Sequence, residues 1–98
     1  MKDLIRDIQT KVTPVLKKYN VHEAILFGSY AKGVASERSD IDLCVDSRLH
    51  GMRFVGLIED IRSVLGGRSV DLLDISHINP DSAIADKIKR TGIKIYAR

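Results

Sequence analysis

The sequence predicts an α/β (α+β) chain in which helices cover a small mixed β-sheet. Short apolar runs at residues 22–28, 40–46 and 69–75 alternate with longer stretches whose apolar residues recur at helical spacing. Asn20, Gly66-Gly67 and Gly92 stand where those helical stretches should stop. At 98 residues the chain has room for one modest core, so residues 1–98 are read as a single domain with a stability of several kcal/mol.

Residues 3–19 form the first predicted helix, with Leu4, Ile5, Ile8, Val12, Val15, Leu16 and Tyr19 on its apolar side. Pro14 falls inside it and is expected to kink or split it, because proline lacks the N–H that the helix needs. Residues 22–28 form the first strand. Its run Ala24-Ile25-Leu26-Phe27 suits burial on both faces. A short helix is expected from Ser29 to Gly33, and a second strand covers 40–46. The polar loop 47–51 leads to a helix over 52–65, with Phe54, Val55, Ile58, Ile61 and Leu65 on one face. A third strand covers 69–75. The last helix, 81–91, is expected to be capped by Asn79 or Asp81 and to turn Ile84, Ala85 and Ile88 inward. Ile93 to Tyr96 form a short final strand or an extended tail.

Chemistry concentrates in residues 27–46. Gly28-Ser29 leaves an apolar strand, residues 30–39 cross over, and Asp40-Ile41-Asp42 opens the next strand. Side chains alternate along a strand, so Asp40 and Asp42 share one face while Ile41, Leu43 and Val45 share the other. Two strand rises put the aspartate Cα atoms roughly 6.5–7 Å apart. Carboxylates at that spacing suit a hard cation such as Mg²⁺, which prefers oxygen ligands and shares its coordination with phosphates. A helix starting after Gly28-Ser29 would offer backbone N–H groups to a phosphate. Gly28 removes an obstructing Cβ, and the Ser29 hydroxyl can donate a hydrogen bond. Lys32 and Arg38 flank this turn as cations for a triphosphate or as exposed salt-bridging groups. Cys44, one pleat beyond Asp42, is read as a small buried residue filling the sheet.

This pattern resembles the motif of the DNA polymerase β-like nucleotidyltransferase superfamily, and the length resembles its minimal nucleotidyltransferases. The match covers Gly28-Ser29, ten intervening residues and Asp40-Ile41-Asp42, with Tyr30-Ala31-Lys32-Gly33 and Ser39 to Leu43 in the family style. The resemblance implies a third carboxylate on a neighbouring strand. Asp71 and Asp74 both lie on the strand 69–75 and face opposite ways, so only one can readily join the site. Asp71 is preferred because it lies nearer the strand start, among apolar residues, while Asp74 leads toward a turn.

By the same resemblance Asp40, Asp42 and Asp71 are the catalytic and metal-binding residues, and Gly28, Ser29, Lys32 and Arg38 bind the nucleotide. Two Mg²⁺ ions are implied, with Mn²⁺ as the second candidate. Asp40 and Asp42 would bridge the metals, and Asp71 would bind the second ion and serve as base. The implied reaction moves a nucleoside monophosphate, AMP from ATP by analogy, to an acceptor hydroxyl. Larger relatives carry an added helical domain that this chain lacks, so self-association or a second chain is expected to supply the missing wall. Minimal nucleotidyltransferases are paired with HEPN-domain toxins, and some transfer AMP onto a toxin tyrosine. An antitoxin acting on a HEPN partner is therefore the leading implication.

Three rival readings belong to other classes. One is an antitoxin that neutralises by occlusion alone, which would not need Asp40 and Asp42. Another is a small-molecule nucleotidyltransferase, which would want an acidic acceptor pocket beyond the site, and no such carboxylate cluster is evident. The third is a nucleic-acid module built on Lys87, Lys89, Arg90, Lys94 and Arg98. That segment lacks the interleaved aromatics that stack on bases and reads equally as a solvated face, so nucleic acid is not an expected partner. A net charge of +3 favours anionic partners only mildly. No apolar run approaches the roughly 20 residues of a membrane span. Residues 1–7 mix acids and bases, without a signal-peptide core. The one cysteine excludes an internal disulfide framework and fits a reducing cytoplasm. The three histidines, His22, His50 and His77, are not at metal-ligand spacing from one another, so zinc is not expected.

Overall fold

Ile8, Val12, Val15 and Leu16 recur every three or four residues, and all four are buried on one side of the first helix, α1 (Lys2–Lys18). The computed structural model describes residues 2–98. After α1 come β1 (Glu23–Phe27), β2 (Ile41–Asp46), α2 (Gly51–Val64), β3 (Val70–Asp74), a short 3-10 turn (Ile75–His77), α3 (Ala83–Thr91) and β4 (Ile93–Ala97). α1 runs unbroken through Pro14, so the proline does not split it. Pro14 is exposed, so the Thr10 carbonyl that loses its partner there faces water, while Val12, Val15 and Leu16 hold the helix to the core. Among the described residues no helix is long and apolar enough to cross a membrane.

The four strands make one mixed sheet in the order β3-β2-β1-β4. β1 is antiparallel to both β2 and β4, whereas β2 and β3 are parallel and joined by the α2 crossover. The segment read as a strand or tail is therefore an edge strand, with Leu26 opposite Ile93. Odd-numbered β2 residues Ile41, Leu43 and Val45 join Ala24, Leu26 and Val70 in the main core. α1 and α2 close over it through Ile8, Val12, Leu16, Leu57 and Ile61. A smaller cluster on the opposite face joins Ile25 and Cys44 to Ile88 of α3. Cys44 is buried there as expected, and burial pushes its thiol up to about 11. α1 and α2 are also clipped at their edges: Tyr19 OH and Lys18 Nζ both donate to Asp60 Oδ2, at 2.9 and 3.0 Å.

Two further expectations change. Residues 28–33 form hydrogen-bonded turns and not a helix. α3 is capped by Ser82, whose hydroxyl accepts from Ala85 N at 3.3 Å, and not by Asn79 or Asp81. The Asn79 side chain is already committed to the Asp81 N–H at 2.9 Å, which closes the preceding turn. Ala85 and Ile88 face inward as expected, but Ile84 is 49% exposed.

Gly92 joins α3 to β4 where the backbone passes directly over β1. Its φ of −73° suits any residue, so the constraint is space. A Cβ at Gly92 would run into Ile25 Cγ2 and the Ile88 carbonyl oxygen, and the latter is backbone that cannot swing aside. Gly92→Ala is expected to cost about 1–3 kcal/mol by overpacking. The measurement is the urea midpoint at constant m-value; an unchanged midpoint would refute the close approach.

Candidate active site

β1 delivers the first half of the site. Phe27, its last residue, pairs with Asp42, and Gly28 then turns the chain away with φ +67°. Lys32 N donates to Gly28 O at 3.1 Å and Val34 N to Ser29 O at 3.1 Å, so the turn closes on itself. Tyr30 anchors it from below, fully buried in the main core. Gly28 is needed for two reasons. Its φ lies where L side chains are strained, and Asp42 Oδ2 occupies the space that a Cβ would fill. The Gly-Ser turn and the Asp42 carboxylate are thus in direct contact.

β2 and β3 deliver the carboxylates. Their parallel register sets Asp42 opposite Asp71, and both side chains leave the sheet on the face away from α1 and α2. Asp40 precedes β2 by one residue and is exposed, as is Asp71, while Asp42 is half-buried. Burial raises the Asp42 pKa above the ordinary carboxylate range, and the nearby Asp71 and Asp40 charges raise it further. Asp74 goes the other way. It is 2% exposed and accepts from Ser76 N at 2.9 Å, Ser76 Oγ at 2.6 Å and Ser47 Oγ. Of the two β3 aspartates, Asp71 alone shares the face of Asp42.

Beside the Gly28 turn lies a cleft of ≈ 340 Å³ between the end of β1 and α3. Phe27, Ala31, Ile84 and Ile88 make its apolar walls, with Lys32 and Lys87 bringing two ammonium groups. Lys32 is thus brought to the turn. Ser29, half-buried, follows Gly28 directly. Arg38 is exposed on the loop before Asp40 and does not line this cleft. Sequence reasoning missed Ile84 as a wall and placed Lys87 in a basic patch. The usable signal is their three-residue spacing, which puts both on one side of α3.

Among the described residues no three His, Cys, Asp or Glu side chains are grouped closely enough, as they stand, to hold a metal ion. The donor chemistry nonetheless fits a hard divalent cation. Asp40, Asp42 and Asp71 offer only oxygens, and their mutual repulsion at Asp42 is what a cation would relieve.

The chain is similar in sequence and in fold to known proteins. The family model described as polymerase beta, nucleotidyltransferase, matches residues 10–98. A Methanocaldococcus jannaschii protein, provisionally named a protein adenylyltransferase, is 33% identical over 94 residues, 93% of this chain and 97% of that protein. The protein adenylyltransferase MntA of Thermococcus cleftensis is 37% identical over 81 residues, 81% of this chain and 79% of that one. The fold is shared with the crystal structure of a toxin–antitoxin with AMP-PNP, at TM-score 0.73 and 23% identity, covering 92% of this chain and 73% of that one. It is also shared with a structure of tri-AMPylated Shewanella oneidensis HEPN toxin in complex with MNT antitoxin. There the TM-score is 0.69 at 22% identity, covering 100% of this chain and 74% of that one.

A carboxylate whose folded pKa is raised contributes stability when protonated and loses it as pH rises through that pKa. Ionised Asp42 therefore weighs against the fold at neutral pH. Asp42→Asn, of the same shape, is expected to melt higher than the wild type at pH 7 in EDTA, with the gap closing as the pH falls below the carboxylate range. Added Mg²⁺ is expected to raise the melting temperature of the wild type and leave the variant unmoved. A variant that melts lower at pH 7 would contradict the repulsion.

Proposed function

The chain belongs to the polymerase β nucleotidyltransferase family, and from that premise we propose that it moves AMP from ATP to a hydroxyl, a tyrosine of a HEPN-type partner. The observation that carries the proposal is the placement of Asp42 opposite Asp71 and directly against the Gly28 turn, with its pKa raised by burial and by the Asp71 and Asp40 charges. Phosphate-facing backbone and mutually repelling carboxylates meet there, as phosphoryl chemistry requires. The names of the archaeal relatives, protein adenylyltransferases, support AMP as the transferred group. The solved complexes of this fold, which hold AMP-PNP or an AMPylated HEPN toxin, support the donor and the partner.

In this reading Gly28 lets the phosphate approach the backbone, and Ser29 donates its hydroxyl to a phosphate oxygen. Lys32 neutralises the triphosphate, and Arg38, on the loop before Asp40, is the second cation offered to it. The apolar cleft beside Lys32 takes the nucleoside. Asp40, Asp42 and Asp71 would hold the divalent metal, two Mg²⁺ ions or Mn²⁺ in their place. When bound, the metal neutralises the phosphates and makes the attacking hydroxyl more acidic. Asp71, exposed on the face that it shares with Asp42, takes the hydroxyl proton. The acceptor oxygen bonds to the α-phosphorus, the bond to the bridging oxygen breaks, and pyrophosphate leaves.

The test incubates the protein, Mg²⁺ and ATP labelled at the α-phosphate with a HEPN-type protein as candidate acceptor. Label is expected on the partner. The double variant Asp40→Ala/Asp42→Ala is expected to lose at least about 10²-fold of the rate, the order seen when preorganised electrostatic stabilisation is removed. A partner that is bound and neutralised without label would replace this reading with an antitoxin that acts by occlusion.

A further inference from the structure

We propose that Arg68 is a positioning residue that fixes Asp40 relative to Asp71, an inference that rests on these carboxylates forming the metal site proposed above. Asp40 lies outside the β2 ladder and is exposed, so strand pairing does not hold it. Its two neighbours are held instead, Ser39 by Arg68 and Ile41 by Ser69. Arg68 Nη2 donates to Ser39 O at 2.9 Å, and Ile41 N donates to Ser69 O at 2.9 Å. The 68–69 segment thus brackets Asp40 from either side. It also leads directly into β3, where Asp71 stands three residues beyond Arg68.

The same guanidinium reaches further. Nη2 also donates to Tyr30 OH and, at 3.5 Å, to Ser36 O. Tyr30 is fully buried, and its hydroxyl in turn donates to Ser36 O at 3.4 Å. The guanidinium carbon lies 5.8 Å from the Tyr30 ring centre. Within the loop, Ser36 N donates to Ser39 Oγ at 2.8 Å and Arg38 N to Ser36 Oγ at 3.2 Å, so residues 36–39 form a closed polar turn. One side chain therefore joins the Gly-Ser turn, the loop into Asp40 and the chain into Asp71. All three contacts are made by Nη2, whose two hydrogens they share; the planar, always-charged guanidinium fixes the directions of those hydrogens, which a lysine ammonium on a flexible stem does not.

The experiment measures Mn²⁺ binding without nucleotide, by titration calorimetry, beside AMP transfer and melting temperature. The proteins are the wild type, Arg68→Met, Arg68→Lys, Asp40→Asn and the double variant Arg68→Met/Asp40→Asn. Arg68→Met is expected to weaken Mn²⁺ binding and lower kcat by about 10–100-fold, the range for residues that orient metal ligands, with KM for ATP unchanged. Arg68→Lys should recover only part of the loss. On the Asp40→Asn background, Arg68→Met should add nothing, because both changes act through one group. Full Mn²⁺ affinity in folded Arg68→Met, or losses that simply add in the double variant, would overturn the inference. Should Arg68→Met fail to fold, Arg68→Lys carries the same criterion, and Tyr30→Phe, which removes one of the three acceptors, should show a smaller loss in the same direction. A wild type whose Mn²⁺ binding is weakened by Asp40→Asn and by Arg68→Met but which transfers no AMP would sink the transferase reading and leave this inference standing.

Discussion

Asp42 and Asp71 stand opposite each other on adjacent parallel strands, so the sheet must hold together two carboxylates that repel. Like charges directly opposite weaken a strand pair. The pair holds because the rungs on either side are apolar: Ile41 opposite Val70 and Leu43 opposite Leu72. Parallel pairing demands a crossover, and α2 provides it by burying Leu57 and Ile61. β1, antiparallel to β2, then ends beside Asp42 and releases Gly28 into contact with it. The juxtaposition of turn and carboxylates follows from one pattern of strand pairing.

The two faces of the sheet are unequally covered, and the candidate site depends on that inequality. α1 and α2 close the main core, whereas α3, of nine residues, has the other face to itself among the described helices. α3 touches the middle of the sheet, where Ile88 meets Ile25 and Cys44, and does not reach the ends of β2 and β3 that bear Asp42 and Asp71. Ile84, one turn earlier on α3, overhangs the end of β1 and becomes a cleft wall. A longer helix across this face would bury the carboxylates unpaired, at a cost that a small domain cannot absorb.

What is legible in the sequence is what local periodicity controls. Alternation assigned the faces of Ile41 to Val45, and helical spacing placed α1, α2 and α3 to within a few residues. The Gly28-Ser29 and Asp40-x-Asp42 spacing was legible because both halves lie on consecutive strands. The remainder depends on what packs where. Pro14 is tolerated because it faces solvent, and Ser82 caps α3 because Asn79 is already engaged. Residues 28–33 stop at turns because buried Tyr30 draws the chain down into the core. The engagement of Arg68 with Tyr30 and Ser39 joins segments about thirty residues apart, and no local pattern announces such a bond.

Asp71 and Asp74 give the clearest measure of how a fold separates a structural acid from an exposed one. They share a strand and a side-chain type, and differ by three residues, hence by one change of face. Asp74 enters the packed face and is surrounded by donors from Ser47 and Ser76; its charge is satisfied, and it ties β3 to the loop after β2. Asp71 emerges on the sparsely covered face opposite another carboxylate, with water in place of donors. A buried acid with several donors has been accommodated by the protein itself. An exposed acid set opposite another carboxylate has no donors among the described residues of the chain to satisfy it, and a cation from outside would relieve the repulsion.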